Sequence, residues 1–387
     1  MRAASMSHYS ARSGIITITL YRSIPMSELN PQESDAVFGG QNLPPINAAV
    51  LGGEVGIKKR LQYEKSIARE NKFWHNFKYL HGFSQYIVFE PHVKIINPQE
   101  TAYFLRDYRY NPPPNNISFE DKFDALVKQT RASEVEGLFF GCLSNEKLIN
   151  ILVDNCKKLK KLKALCLGAI SEDEQMISEI YHGDISRILL AYDKLEILQI
   201  RGRYLRFCTK LHHQNLKSLT IISGGLNRES LLDINELDLP ALEYLEIWLG
   251  SKEYGSNSSI TDLMPIISGD KFPKLKYLGF KNCEYTDDIA FELARSPIIE
   301  KLLELDLSMG ALGDDALSAV LSCPMINELD KLDVSQNFIS DGFIAEKLPQ
   351  FKLNCELITE GQRQVYPYDD YGNEINEREY RYCVVAE

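Results

Sequence analysis

The sequence predicts an α/β solenoid with parallel strands on its concave face and helices on its convex face. Two observations predict it: an apolar pattern that recurs along the chain, and amphipathic segments between its copies. The pattern, Leu-x-x-Leu-x-Leu with conservative replacements, occurs eight times: VEGLFF at 135, LKALCL at 162, LEILQI at 195, LKSLTI at 216, LEYLEI at 242, LKYLGF at 275, LLELDL at 302 and LDKLDV at 329. Successive copies start 27, 33, 21, 26, 33, 27 and 27 residues apart. Five of these spacings fall within the period of about 20 to 29 residues that leucine-rich repeats show, and two are longer.

Each copy predicts one short strand. Alternation puts two apolar side chains, such as Leu245 and Ile247, on one face of the strand. The leading leucine of the copy turns in from the preceding corner. A single unit cannot bury its apolar face alone, so we expect the units to stack, to share one core and to need caps at both ends.

The segments between the copies predict helices. In TDDIAFELARS, Thr286 is the expected N-cap, and Asp287 and Asp288 occupy the first turn, where the helix dipole favours anions. GDDALSAVLS and SDGFIAEKL follow the same design. Cys283 and Asn337 stand just after their strands, where a small polar side chain can bond loop backbone. Helix-bearing units of about 27 residues resemble the ribonuclease-inhibitor class of leucine-rich repeats.

The flanks divide the chain into further segments. Residues 1–25, with three arginines and no acid, are interpreted as a non-native or targeting-like leader. Residues 26–72 are punctuated by Gly-Gly and Pro-Pro pairs, and the aromatic-rich residues 73–130 predict an N-terminal cap. The repeats fill 131–350. Residues 351–387 end in YRYCVVAE and predict a C-terminal cap strand.

Composition and motifs limit the function. A net charge of −11 over 387 residues argues against nucleic acid as a partner, and no apolar run reaches membrane-spanning length. Eight cysteines without a CxxC pair indicate reduced thiols and a cytoplasmic protein, and no zinc spacing is present, so we expect no metal site. Phosphate-loop, dinucleotide and nucleophile–histidine signatures are absent, so we expect no cofactor and no catalysis.

The register predicts which side chains point outward from the concave strands. Trp, Tyr and Arg dominate binding hot spots because they remove a large area from water and keep a polar handle. The candidate binding patch therefore consists of Arg201, Ile222, Tyr244, Glu246, Trp248, Tyr277, Lys281 and Asp306. In the alternative interpretation, the insertion GSKEYGSNSS covers Trp248 and makes the group a satellite core. Replacing Trp248 with alanine distinguishes the two: partner binding weakens in the first case and folding fails in the second.

Carboxylates form a separate cluster toward the last repeats. Glu304, Asp306, Asp330 and Asp333 are expected to be solvated and to steer a basic partner.

These observations predict a non-enzymatic protein that binds a protein or peptide through its concave face. One alternative is a regulatory subunit or GTPase-activating-like protein, which needs a projecting side chain such as Arg201 or Arg203. Another is an enzyme whose site lies in the aromatic, histidine-bearing N-terminal region.

The chain resembles a bacterial leucine-rich-repeat family from about residue 79 onward. The residues that carry the resemblance are LKSLTIISGGL at 216–226, LPALEYLEIWLGSKEYG at 239–255, LLELDLSMGALGDDAL at 302–317 and the closing YRYCVVAE. The leader DAVFGGQN…AAVLGGEVGIKKRL is similar to segments that precede repeats in cyanobacterial proteins. The resemblance implies a cytosolic repeat protein with no assigned reaction. This chain departs from the family in its lysine- and tyrosine-rich repeats and its longer N-terminus.

Overall fold

The computed structural model describes residues 83, 85–107, 117–141, 146–170, 175–208, 210–365, 376 and 380–385. The predicted segments 1–25 and 26–72 lie outside the described residues. The strands in the described part are β1 (Gln85–Val88), β2 (Thr101–Arg106), β3 (Gly137–Gly141), β4 (Ala164–Leu167), β5 (Tyr181–Asp184), β6 (Ile197–Arg201), β7 (Tyr204–Arg206), β8 (Ser218–Ile222), β9 (Tyr244–Gly250), β10 (Tyr277–Cys283), β11 (Glu304–Asp306), β12 (Lys331–Asp333) and β13 (Glu356–Ile358). Eleven of these strands form one parallel sheet in chain order, and β5 and β7 pair separately.

Helices connect most of the strands. The α-helices are α1 (Phe119–Val127), α2 (Glu146–Asp154), α3 (Ser186–Ala191), α4 (Arg228–Glu236), α5 (Ile260–Ile267), α6 (Thr286–Leu293) and α7 (Asp314–Leu321). A π-helical turn spans Phe343–Lys347. Short 3₁₀ turns span Ala132–Glu134, Ile177–Glu179, Lys252–Tyr254, Pro297–Lys301, Pro324–Glu328 and Leu348–Gln350. No helix in the described ranges is long and apolar enough to cross a bilayer.

The repeat pattern sets the strand register. The second leucines of the eight copies pair with one another across the sheet and are fully buried: Leu138, Leu165, Leu198, Leu219, Leu245, Leu278, Leu305 and Leu332. They face the helices and form one continuous core with them. The predicted α/β leucine-rich-repeat solenoid is confirmed, and the concave face is the sheet face opposite the helices.

Helix caps follow local chemistry. Ser118 caps α1 as its Oγ accepts a hydrogen bond from the Asp121 backbone nitrogen at 3.1 Å. The predicted N-cap of α6 is wrong by one position, because Tyr285 occupies the cap and Thr286 is the first helical residue. The Thr286 hydroxyl instead donates back to the Cys283 carbonyl at 2.6 Å. A hydroxyl placed there holds the strand-to-helix corner together.

Asn337 holds the corner that follows β12. Its side-chain Nδ2 lies within hydrogen-bond distance of the carbonyls of Leu307 at 2.9 Å, Val334 at 3.0 Å and Ser335 at 3.1 Å. Its Oδ1 accepts from the Leu312 nitrogen at 3.0 Å. The amide is fully buried, so it satisfies backbone groups that water cannot reach. The role predicted for this asparagine is confirmed.

The unit that starts at Leu195 has no helix among its described residues. It is the short, 21-residue unit, and β7 lies between its main-sheet strand β6 and the next main-sheet strand β8. That strand pairs with β5 of the preceding unit, and the exposed rings of Tyr181 and Tyr204 lie 6.3 Å apart on this minor sheet.

The main sheet extends beyond the eight predicted strands. β1 and β2 add two strands before the first copy, and β13 adds one after the last. Residues 380–385 carry no strand, although YRYCVVA suggested one, and the strand inside 351–387 is β13. The boundaries at 73–130, 131–350 and 351–387 stay predictions.

Candidate functional site on the concave face

The concave face consists of three outward columns of side chains. The middle column pairs in register as predicted: Phe139, Cys166, Gln199, Thr220, Glu246, Gly279, Asp306 and Asp333. On either side of it, Tyr244 pairs with Tyr277, Trp248 with Lys281, and Arg201 with Ile222. The register thus brings the residues of the predicted patch onto the neighbouring strands β6, β8, β9, β10 and β11.

Glu246 is the centre of a hydrogen-bonded cluster. Its carboxylate accepts from the Tyr244 hydroxyl and, at 2.7 Å, from the indole nitrogen of Trp248. The Tyr277 hydroxyl lies 3.3 Å from the same carboxylate and 2.9 Å from Asp306 Oδ2. The rings of Tyr244 and Tyr277 stack with centroids 4.0 Å apart. These bonds fix the orientation of three aromatic side chains at once.

Lys281 joins this cluster to the next strand. Its Nζ lies 2.9 Å from Asp306 Oδ2 and 5.7 Å from the centroid of the Trp248 ring, which is a cation–π contact. Burial alone would lower the pKa of Lys281, but the carboxylates of Asp306 and Glu246 raise it. The ammonium is therefore held charged. We call Tyr244, Glu246, Trp248, Tyr277, Lys281 and Asp306 the concave cluster.

The pKa values of Asp306 and Asp333 shift in opposite directions. Desolvation alone would raise the pKa of Asp306, but the nearby charge of Lys281 lowers it overall. Desolvation, and then the charge of Asp306, raise the pKa of Asp333. The site therefore holds one carboxylate strongly ionised beside another that resists ionisation.

The concave cluster is shielded from solvent. Tyr244 and Tyr277 are each 3% exposed and Trp248 is 4% exposed, whereas the Lys281 side chain is 14% exposed. An open, solvated patch is thus not what the structure has. Trp248 belongs to a second hydrophobic cluster, whereas Tyr254 and Gly255 of the insertion lie against Gly225 and Arg203. The carboxylates of Glu304 and Asp306 are also buried, so the expectation that the whole acidic cluster is solvated is wrong. Asp330 and Asp333 are half-buried.

The earlier strands give the concave face an apolar half. A second hydrophobic cluster there comprises Phe83, Ala102, Phe139, Ala164, Cys166, Ala169, Ile177, Ile197, Ile222 and Trp248. Gly137 has no side chain, and a Cβ there would collide with the ring of Phe83. Burial raises the pKa of the Cys166 thiol well above its usual range, so this cysteine is not an activated nucleophile. Trp248 stands at the boundary between the apolar half and the charged concave cluster.

Gln199 is a site residue that the sequence did not single out. Its side-chain amide is buried at 1% exposure and has no hydrogen-bond partner in the described part of the chain. A buried amide without a partner costs about 1–3 kcal/mol, and the amide is a group that pairs with peptide backbone. Its place in the middle column was evident, but glutamine carries neither an aromatic ring nor a charge.

The arginines named for the alternative function do not project. Arg201 is fully buried at the end of β6, where its carbonyl lies 2.7 Å from His182 Nε2. Arg203 is half-buried, and its guanidinium lies where a Cβ on Gly255 would be. Neither geometry offers an arginine to another protein's active site. Within the described ranges, no group of three or more His, Cys, Asp or Glu side chains is arranged to hold a metal ion.

Comparison with known proteins found similar solved structures. A Bacteroides fragilis protein solved by the Northeast Structural Genomics Consortium is similar, with 28% identity over 68% of this chain and 76% of that one and a TM-score of 0.60. A Listeria monocytogenes internalin shows 16% identity over 60% of this chain and 56% of that one, with a TM-score of 0.32. TLR13, in its complex with ssRNA13, shows 15% identity over 68% of this chain and 41% of that one, with a TM-score of 0.38. No protein-family model and no curated protein matches the chain. The protein is a leucine-rich-repeat solenoid.

Proposed function

We propose that this chain is a non-enzymatic scaffold that binds a protein or peptide partner through its concave face. The observation that carries the proposal is the concave cluster, in which strands β9, β10 and β11 hold three aromatic rings and three charged groups in one bonded array. Tyrosine and tryptophan dominate binding hot spots, because they remove a large area from water and keep a polar handle.

Gln199 and the carboxylates support a peptide as the partner. The unsatisfied amide of Gln199 can accept from and donate to a peptide backbone. The excess of carboxylates over basic groups, a net charge of −11, favours a partner with basic groups and disfavours nucleic acid, whose phosphates it would repel.

The low exposure of the cluster has a kinetic consequence. Because Tyr244 and Tyr277 are 3% exposed, a partner reaches them only after a rearrangement that uncovers them. Association that requires such a change is slower than the usual 10⁵–10⁷ M⁻¹s⁻¹. We therefore expect slow association.

Family and location complete the proposal. The helix-bearing units and the 28% identity to the Bacteroides fragilis protein support membership of a bacterial family whose repeats resemble the ribonuclease-inhibitor class. The cyanobacterial-like leader and the cytoplasmic location are proposed on the sequence alone.

A displayed peptide library tests the function. The full chain selects peptides, and the best peptide is then measured against a variant carrying Trp248→Phe and Tyr277→Phe. These replacements keep most of the buried volume but remove the indole N–H and the phenol that bond Glu246 and Asp306. We expect affinity to fall at least about tenfold, the effect of roughly 1.4 kcal/mol. Alanine at 248 is unsuitable, because truncating a buried tryptophan costs about 3–5 kcal/mol of stability.

The minor sheet provides the matched control. Tyr181→Phe with Tyr204→Phe also removes phenol hydroxyls, but from an exposed pair on the separate β5–β7 sheet, which contains no residue of the concave cluster. The control should bind like the native chain, and thermal unfolding must show that both variants fold. Equal binding by both double variants, or no peptide selected by the native chain, contradicts the proposal.

A further inference from the structure

Residues 380–385 lie along the repeat corners, where they contact Asn282, Asp287, Met309 and Phe338. Arg381 is 12% exposed at its side chain and Cys383 is 3% exposed, whereas Tyr380 is 50%, Tyr382 57% and Val384 39% exposed. Alternate side chains therefore point into the protein, as in a peptide bound in strand-like form. We call residues 380–385 the tail segment.

The repeats form hydrogen bonds to the backbone of Val384 and Val385 in the tail segment. The Val385 nitrogen donates to Asn282 Oδ1 at 2.7 Å, and Asn282 Nδ2 donates to the Val385 carbonyl at 2.5 Å. The Val384 nitrogen donates to the Met309 carbonyl at 3.1 Å. A side-chain amide that bonds both the N–H and the C=O of one residue recognises backbone, whatever side chain that residue carries.

Asn282 and Met309 are equivalent positions of successive units. They lie 27 residues apart, and both have left-handed backbone, with φ of 50° and 66°. The repeat therefore presents a row of similar corners along which an extended chain can lie.

Arg381 occupies a fitted pocket. Its Nη1 lies 3.1 Å from Asp287 Oδ2, and the other carboxylate oxygen of Asp287 accepts from the Gly313 nitrogen at 2.8 Å. A Cβ on Gly313 would collide with the guanidinium. Because Gly313 has φ −117°, an alanine there is free of backbone strain and would only fill the pocket.

The exposed ring of Tyr382 packs against Phe338 and Arg363. The guanidinium of Arg363 lies 4.3 Å from the ring centroid of Phe338 and 4.9 Å from that of Tyr382. Its Nη2 also donates to the Gly310 carbonyl at 2.5 Å, which fixes this platform within the repeats. The platform selects an aromatic residue next to the arginine.

We propose that this corner groove is a peptide-binding site, with the tail segment as its resident ligand in cis. It shares no residue with the concave cluster, although Val385 packs against the hydrophobic cluster to which Trp248 belongs. Its ligand class is an extended peptide with arginine, then an aromatic residue, and small apolar side chains two and four positions after the arginine. Recognition uses the Asn282 amide, the Asp287–Gly313 pocket and the Arg363 platform.

Cleavage of the full chain tests the proposal. A protease site is inserted between residues 366 and 375, the chain is folded and cut, and a labelled peptide YRYCVVAE is added under reducing conditions while anisotropy is followed. We expect the cut chain to bind the peptide and the uncut chain, whose groove is occupied at high effective concentration, to bind at least about a hundredfold more weakly.

Gly313→Ala distinguishes specific binding in the Arg381 pocket from non-specific binding of the peptide. In the cut chain it should weaken the native peptide roughly tenfold or more, the usual effect of losing a charged hydrogen bond. It should have little further effect on a peptide in which Arg381 is replaced by alanine, because that peptide leaves the pocket empty.

Three results would overturn the proposal. They are no binding of the peptide to the cut chain, equal binding to the Gly313→Ala chain, and equal losses from Gly313→Ala for both peptides. Where the cut chain loses its circular dichroism spectrum, adding peptide must restore it, and failure to do so also overturns the proposal.

Discussion

Asp306 and Asp333 show how one strand position separates two similar carboxylates. Each Oδ1 accepts from the backbone nitrogen of the serine two residues on, at 2.9 Å in both cases. Asp306 also has Lys281 at 2.9 Å, whereas Asp333 has Lys331 only at 3.8 Å. The distance to the lysine, together with the repulsion of Asp333 by the ionised Asp306, therefore decides which pKa falls and which rises.

Asparagine at each position tests this difference, because its Oδ1 keeps the bond to the serine nitrogen. Asp306→Asn should lower the free energy of unfolding at pH 7 by about 3 kcal/mol, since it leaves Lys281 without its closest counter-charge. Asp333→Asn should raise it or leave it unchanged, since it removes a carboxylate whose ionisation opposes burial. Chemical denaturation of both variants gives the two values, and a similar loss in both would refute the assignment.

Measuring the free energy of unfolding at decreasing pH tests the direction of each pKa shift independently. The folded pKa of Asp306 is lowered, so its contribution is present above the unfolded pKa of about 4 and is lost as the pH falls below that value. Asp306→Asn should therefore flatten the fall in stability below about pH 4. Asp333→Asn should not flatten it, because the raised folded pKa of Asp333 acts in the opposite direction.

At the scale of the element, one asparagine holds a whole corner. Asn337→Ala should lower the free energy of unfolding by about 2–4 kcal/mol, because it leaves buried backbone groups without partners. Asn327→Ala is the control: that side chain also bonds backbone twice, to residues 352 and 354, but at an exposed corner. Denaturant unfolding should show a clearly smaller loss for Asn327→Ala, and equal losses would assign no special role to Asn337.

Elements were predictable where the repeat pattern is strict. The second leucines recur in register, so the eight strands and their columns followed from the sequence. The N-cap of α6 was predicted one position too late, because a threonine followed by acids is a typical N-cap pattern. Here the Thr286 hydroxyl instead donates to the Cys283 carbonyl in the preceding corner, and Tyr285 is the N-cap. The β5–β7 sheet was not predicted. The 21-residue unit contains the repeat pattern of the main-sheet strand, but that pattern does not specify the structure of the residues that follow the strand.

The sequence left burial of the concave cluster as one of two interpretations and could not decide between them, because burial is a property of the whole molecule. Alternation along a strand assigns a side chain to a face, but whether that face meets water depends on residues far away in sequence. Phe83 and Val385, from opposite ends of the described chain, both contact the apolar cluster of the concave face. Neither belongs to a repeat, so no periodicity reports them.

Stability should vary along the solenoid, because each unit is stabilised mainly by its neighbours. Every residue of the central strand β9 is buried, whereas the three residues of the terminal strand β13 are all half-buried. Amides of β9 should therefore exchange with deuterium at least about a hundredfold more slowly than those of β13. Mass-resolved exchange of the full chain measures this, and uniform protection would indicate a single cooperative unit instead.

The contact between Asn282 and Val385 has a consequence during synthesis. The two residues are 103 positions apart, and a ribosome adds about 5–20 residues per second. Asn282 is therefore added to the chain roughly 5–20 seconds before Val385. Through that interval the nascent chain exposes a formed corner whose resident strand does not yet exist, and any neighbouring extended backbone, including that of an adjacent nascent chain, competes for it.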